Sequence, residues 1–405
     1  MKQFLFILFF IPTVLELYAQ SGTYSNPVVA QSLPDPTVIH ADDGYFYLYA
    51  TEDIRNVPIY RSADLVNWTF QGTAFTDSTR PDFEPGGGIW APDIHYINGQ
   101  YVLYYAMSVW GGEQTCGIGV ATAQNPQGLF TDRGKLFRSN EIGVQNSIDP
   151  FYIEDNGKNY LFWGSFHGIY YVELSDDGLS LKNPDNPQPV QVAGVVFEAA
   201  CIHKRGNYYY LFASVGSCCD GLNSTYRMVV GRSESATGPY ISKVGTDMKL
   251  NGWSVFVNSN ARFIGNGHCS DIVTDDAGND WILFHGWDAE NPDNGRVLLL
   301  NQVKWDSSDW PYVENNSPAL TAAIPVFGVS AMKNINSLQI QLQTVENVLV
   351  LKSPEPVDVR IFTPYGQLVN SFAQCEQFRA PLIKGIYIVQ IKTANKSIVK
   401  KICIN

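Results

Sequence analysis

Short runs of apolar and polar residues, punctuated by glycine, asparagine and aspartate, fill residues 24–325. The stretch NSIDPFYIEDNGKNYLFWGS, from Asn146 to Ser165, is representative. It predicts a hairpin: a short strand, a turn closed by Gly157, and a second strand of aromatic and aliphatic residues. The second strand reads as core. The acid Asp149 at the head of the first strand is not explained that way. Four further stretches share the pattern: DPTVIHADDGYFYLY from Asp35, APDIHYINGQYVLYY from Ala91, EAACIHKRGNYYYLF from Glu198 and HCSDIVTDDAGNDWILF from His268. Each has a head residue, a small residue or proline, a short strand, a turn containing glycine, and a second strand rich in Tyr, Phe or Leu.

The heads fall at 35, 91, 149, 198 and 268, in steps of 56, 58, 49 and 70 residues. A hairpin recurring at that period is the mark of a β-propeller with one four-stranded sheet per blade, so five repeats predict an all-β chain with five blades. Runs such as NVPIYRS and GIGVATA supply the remaining strands. Innermost strands line the axis of a propeller. If each repeat opens with that strand, Asp35, Asp149, Glu198 and His268 meet at one end of the axis. A lone Asp before a strand is ordinarily a turn or cap residue. That role does not require an acid at the same place in several repeats, nor a glutamate in the apolar setting VVFEAACI.

Composition narrows the function. Charged residues are 16% and aromatics 13%, against about 25% charged in an average soluble protein. A net charge of −12 argues against nucleic acid or an anionic membrane surface as partner and is compatible with a neutral sugar. The N-terminus, MKQFLFILFFIPTVLELYAQ, has a basic Lys2, a short apolar run and a small residue at Ala19. It reads as a signal peptide over 1–19, too short for a membrane span, and predicts a secreted or cell-surface protein. No later stretch is long and apolar enough to cross a bilayer. The seven cysteines form no zinc pattern. The adjacent Cys218 and Cys219 read equally as a vicinal disulfide or as two buried thiols.

Two carboxyl groups flanking a glycosidic bond suffice for its hydrolysis: one protonates the leaving oxygen, and the other activates water or attacks carbon. Glu198, among apolar neighbours, suits the acid, because burial raises a carboxyl pKa. Asp149 on the adjacent repeat is placed to raise it further by repulsion. Asp35, two repeats away, is left as the base, with room for water. That spacing points to inversion, which needs a carboxyl separation of about 6.5–9.5 Å.

From SLPDP at Ser32 to WDSSDWPYV at Trp305 the chain resembles glycoside hydrolase family 43, whose fold is a five-bladed β-propeller and whose members invert. The resemblance implies Asp35 as base, Asp149 in NSIDP as pKa modulator and Glu198 as acid. The segments GGIWAPDIHYINGQYVLYYAMS, GSCCDGLNSTYRMVVGRSESATGPY and GNGHCSDIVTDDAGNDWILFHGWD are most similar to the arabinanases, which cut α-1,5-linked L-arabinan. By that resemblance His268 holds an axial calcium ion, although Cys269 stands where Asn is common. The competing reading of His268 is a neutral imidazole bonded to an acid. Arg232 matches a family arginine near the acid, with a structural salt bridge as the alternative. Trp90, Phe166, Trp253 and Trp287 are candidates for stacking on sugar, and Trp90 is preferred. Other functions in view are an exo-acting α-L-arabinofuranosidase or β-xylosidase of the same family and a non-catalytic glycan-binding propeller. A monomer with no organic cofactor is expected.

Beyond residue 326 aromatic density falls, and alternating strands such as VLVLK, VDVRIF and GIYIVQI predict a small C-terminal β-sandwich over 338–405. It resembles the C-terminal sorting domains of Bacteroidetes-type secretion, which implies a partner in outer-membrane secretion machinery. The alternative is a carbohydrate-binding module.

Overall fold

The structure is a computed structural model, described for residues 22–327, 341–345, 347–364, 366–392 and 397–404. The signal-peptide reading, 1–19, lies outside these residues. The chain divides into two compact units, Met1–Phe327 and Gly328–Asn405. Both are built of strands. The one α-helix among the described residues is the single turn Ser139–Ile142.

In the first unit four antiparallel four-stranded sheets follow one another along the chain. They are led by Thr37–His40, Gly88–Ile97, Phe151–Asp155 and Glu198–Arg205. A fifth is led by Phe263–Cys269, continues through Asp280–Asp288 and Arg296–Trp305, and ends on Val29–Ser32 from the start of the chain. Val29 registers with Leu298, and Ser32 with Val297. The beginning and end of the unit are therefore hydrogen-bonded in one sheet.

Period-2 alternation explains the packing of these sheets. In a strand buried on both faces, successive side chains serve different neighbours. In the first sheet Tyr47 and Tyr49 share a core with Leu103 and Tyr105 of the second. Phe46 and Leu48 share another with Trp281 and Leu283 of the fifth. Val102 and Tyr104 turn instead to Leu161 and Trp163 of the third. Phe162 joins the fourth and fifth sheets through Phe212 and Phe284. Cores thus run from sheet to sheet and back from the fifth to the first, so the second strand of each repeat is mostly apolar on both faces.

Each repeat has left-handed backbone near its predicted head: φ is 54° at Asp35 and 59° at Asp149, just before their leading strands, 42° at Ala91 and 57° at Ala199, near the start of theirs, and 48° at His268, near the end of Phe263–Cys269. This conformation is disfavoured for side chains other than glycine and costs about 1–3 kcal/mol at each site. In the fourth sheet the equivalent residue is Ala199, not Glu198 as the repeat suggested. Pairing jumps from Glu198↔Ser214 to Cys201↔Phe212, as it jumps in the second sheet from Trp90↔Ala106 to Asp93↔Tyr104. A bulge at the head thus gives Glu198 the place that Trp90 holds in the second sheet.

In the second unit the long strand Val348–Phe362 pairs with Leu368–Pro381 along one side. Its other side pairs first with Gln341–Val345, then with Gly385–Lys392. The described strands make one connected five-stranded sheet. Leu349 and Leu351 from one half of the long strand share a core with Val359 and Ile361 from the other.

Candidate active site

Side chains from four sheets come together here. Asp35, Asp149 and Glu198 each act electrostatically on His268. Asp35 follows directly on the closing strand, and its partners come from both sides of the closure. Thr51 Oγ1 donates to its Oδ2 at 2.6 Å, and Arg296 Nη1 donates to Oδ1 at 3.2 Å. His268 Nδ1 and His285 Nδ1 lie 3.2 and 3.3 Å from Oδ1. The backbone N–H of Asp35 donates to His285 Nδ1 at 3.1 Å. Burial alone would raise this carboxyl, but Arg296 and His268 outweigh it and hold Asp35 well below the ordinary carboxylate range. His285 is buried and its pKa falls to about 4, so it is neutral, with Nδ1 free to accept.

Glu198 is set oppositely. Its Oε2 accepts from Ser165 Oγ at 2.7 Å, and it is also hydrogen-bonded by Tyr226. Neither donor is charged. Burial, joined by repulsion from Asp35, raises its pKa despite these hydrogen bonds and His268. Asp149 accepts from the backbone N–H of Ala199, the residue after Glu198, at 3.1 Å. It is pushed up to about 7, first by burial and then by Glu198 and Asp35. Tyr226 stacks on His285, with ring planes 9° apart and centroids 5.7 Å apart. Gly267 makes room for it: a Cβ there would lie 2.1 Å from the tyrosine ring.

His268 lies among three carboxyl groups. Burial would lower its pKa, but Asp35, Asp149 and Glu198 raise it to about 9, so it stands as an imidazolium with Nδ1 on Asp35. No group of three or more metal-donor side chains among the described residues includes His268. One imidazole nitrogen is a poor set for calcium, which prefers several oxygens.

Trp90 immediately precedes Ala91, whose N–H is 2.7 Å from Thr51 Oγ1. It packs against a small core of Ala106, Cys116 and Ile148, the last being the neighbour of Asp149, and its ring centroid lies 5.6 Å from that of the exposed Trp110. Phe166, next to Ser165, is exposed. Trp287 donates to the carbonyl of Cys218, and Trp253 packs against the core of the fourth sheet. Cys218 and Cys219 form a disulfide.

Arg232 is not in the acid cluster. It registers with Tyr210, whereas the partner of Glu198, Ser214, registers with Met228. That places Arg232 toward the other end of the sheet, lying over Tyr208 and Trp310 and donating to the carbonyl of Ser308. Arg296 is the arginine at the site. Sequence reasoning missed Arg296, His285, Thr51, Ser165 and Tyr226. The one available signal was His285, a polar residue inside the apolar run WILFHGW.

A carboxylate held well below the ordinary range, a carboxyl raised above it and a third acid beside it, borne on sheets packed in a ring, are the equipment of a glycoside hydrolase. The glycosyl hydrolases family 43 pattern matches residues 24–311. The chain belongs to that family, and its first unit has the β-propeller fold. It is 36% identical over 292 residues to an extracellular endo-α-(1→5)-L-arabinanase of Bacillus subtilis, covering 69% of this chain and 87% of the relative. It is 35% identical over 309 residues to an extracellular exo-α-(1→5)-L-arabinofuranosidase of Cellvibrio japonicus, covering 69% and 86%. A Cellvibrio cellulosa α-L-arabinanase solved with arabinohexaose superimposes with a TM-score of 0.64 at 33% identity, over 70% of this chain and 96% of that one.

Proposed function

We propose that the chain is an inverting glycosidase that cleaves α-1,5-linked L-arabinan from plant cell walls. The reading is carried by the opposite setting of two buried acids in one cluster, Asp35 held well below the ordinary carboxylate range and Glu198 raised above it. Asp35 is the base that takes a proton from the attacking water. Glu198 gives its proton to the leaving oxygen. Asp149 keeps the pKa of Glu198 high and, through the Ala199 amide, fixes the strand that carries it. The paired rings of Trp90 and Trp110 serve as a platform for sugar. Under this reading the five sheets are the five blades of the propeller, and the connected C-terminal sheet folds over its shared core as a sandwich that addresses the protein to secretion machinery. Export fits the extracellular relatives. No helix among the described residues is long and apolar enough to cross a membrane. An ion at His268 would rest on one nitrogen and solvent.

The test is hydrolysis of debranched linear arabinan with the products resolved by size and anomeric form. Internal cuts with inversion support the proposal; retention of configuration, or no cleavage, overturns it. An exo-acting enzyme is the second reading, favoured by the Cellvibrio japonicus relative, and release of short products from one chain end alone would establish it.

A further inference from the structure

A second cluster of ionisable groups lies apart from the acids, further along the same inner strands. Asp93 and His95 follow Ala91 by two and four residues, and Asp271 follows His268 by three, which is roughly 7–13 Å beyond the heads at strand spacing. One donor atom from each of Asp93, His95 and Asp271 falls within 4.8 Å of the others. Asp93 and His95 belong to the second sheet, while Asp271 follows the leading strand of the fifth. These sheets are not neighbours in the ring, so the cluster spans the axis. The first and third sheets reach it too: Thr37 Oγ1 donates to Asp93 Oδ1 at 3.4 Å, and the N–H of Tyr152 donates to Oδ2 at 2.7 Å. His95 Nε2 lies 2.8 Å from the same Oδ2.

The Asp271 carboxylate accepts no hydrogen bond from the described residues, although it faces a second carboxylate across the axis. Two carboxylates drawn together favour a positive charge between them; a proton on His95, whose Nε2 lies on Asp93, is one such charge, and an ion that displaces that proton would find a nitrogen–oxygen set suited to a divalent transition metal. We propose that Asp93, His95 and Asp271 bind a divalent cation of the zinc or manganese class, which ties the second sheet to the fifth through the axis. The site is distinct from His268, whose electrostatic partners are Asp35, Asp149 and Glu198. It does not depend on which glycosidic linkage is cut.

The experiment uses the full exported chain, stripped with chelator, desalted and titrated with Zn²⁺, Mn²⁺ and Ca²⁺ by calorimetry, with metal content measured after gel filtration. One equivalent of Zn²⁺ or Mn²⁺ is expected to be retained, and Tm should rise with its concentration, because an ion bound only to the folded state stabilises it. Asp271→Val should abolish both effects while His268→Ala keeps them. Should Asp271→Val fail to fold, Asp271→Asn and His95→Asn provide the same comparison. Retention of calcium alone, no retained metal, or loss of binding in His268→Ala with retention in Asp271→Val would overturn the proposal. So would histidine nitrogen shifts showing His95 as an imidazolium in metal-treated protein.

Discussion

Asp35 and Glu198 come from the first and fourth sheets to one cluster, and both are mostly buried, with 12% of the Asp35 side chain and 8% of Glu198 exposed. Their pKa values move in opposite directions. Burial raises both, so the company each keeps must decide the sign. Asp35 has a guanidinium and an imidazolium on one oxygen. Glu198 has a serine and a tyrosine hydroxyl, and uncharged donors stabilise a carboxylate less than cations do. The two carboxyls are set apart by what neighbouring strands deliver to each, not by how deep each lies.

The largest expected effect breaks the comparison outright. Glu198→Gln should slow hydrolysis of arabinan by about 10²–10⁴-fold, the usual contribution of a general acid, and should spare an aryl arabinofuranoside whose leaving group needs little protonation. Asp35→Asn should slow both substrates alike. A leaving-group dependence in Asp35→Asn, absent in Glu198→Gln, would reverse the assignment.

Removing the cation from the base side comes next. Arg296→Met should raise the pKa of Asp35, so the acid limb of the kcat/KM profile moves to higher pH. Breaking a buried pair costs about 3 kcal/mol, which denaturant melts would detect. The depressed pKa of Asp35 contributes stability that is present above its unfolded value and lost as pH falls through the folded one. In Arg296→Met the folded pKa lies nearer the unfolded one, so that loss should be smaller and should end at a higher pH.

Asp149→Asn sharpens the comparison from the acid side. Asp149 and Glu198 repel each other as they ionise, so without Asp149 the proton of Glu198 should be lost at lower pH, and the alkaline limb of the pH–rate profile should move down with it. The folded pKa of Asp149, about 7, lies above its unfolded value, so wild type loses stability as pH rises toward 7. Asp149→Asn should lack that loss, and the Tm difference between variant and wild type should change between pH 4 and 7. An unmoved alkaline limb would remove Asp149 from the modulator role. The smallest effect is expected for Thr51→Val, which removes one hydroxyl from Asp35. A net hydrogen bond is worth about 1 kcal/mol, so activity should drop roughly fivefold.

The repeat made Asp35, Asp149 and His268 legible because the same pattern of head, strand, turn and strand exposes them. Glu198 was legible as an acid but not in its geometry. A bulge moves it one residue off the head, and nothing in the residue types announces that shift. Arg296 and His285 were hidden inside strands whose apolar character identifies them as core, and Arg296 meets Asp35 across 261 positions of chain. Arg232 was the more visible arginine, yet strand register puts it away from the acids. Periodicity reports which face a residue takes, whereas register decides which residues share an end of the sheet.

The closing strand has a consequence for timing. Val29–Ser32 sits three residues before Asp35, and its partner strand begins at Arg296. The cation that keeps the base ionised is among the last parts of the propeller to be synthesised, while the base is among the first. A chain still emerging, or threaded unfolded through a membrane, holds Asp35 without its guanidinium and has no working pocket. Hydrolysis begins only when the two ends of the propeller meet, so the first appearance of activity during refolding dates the closure of the ring.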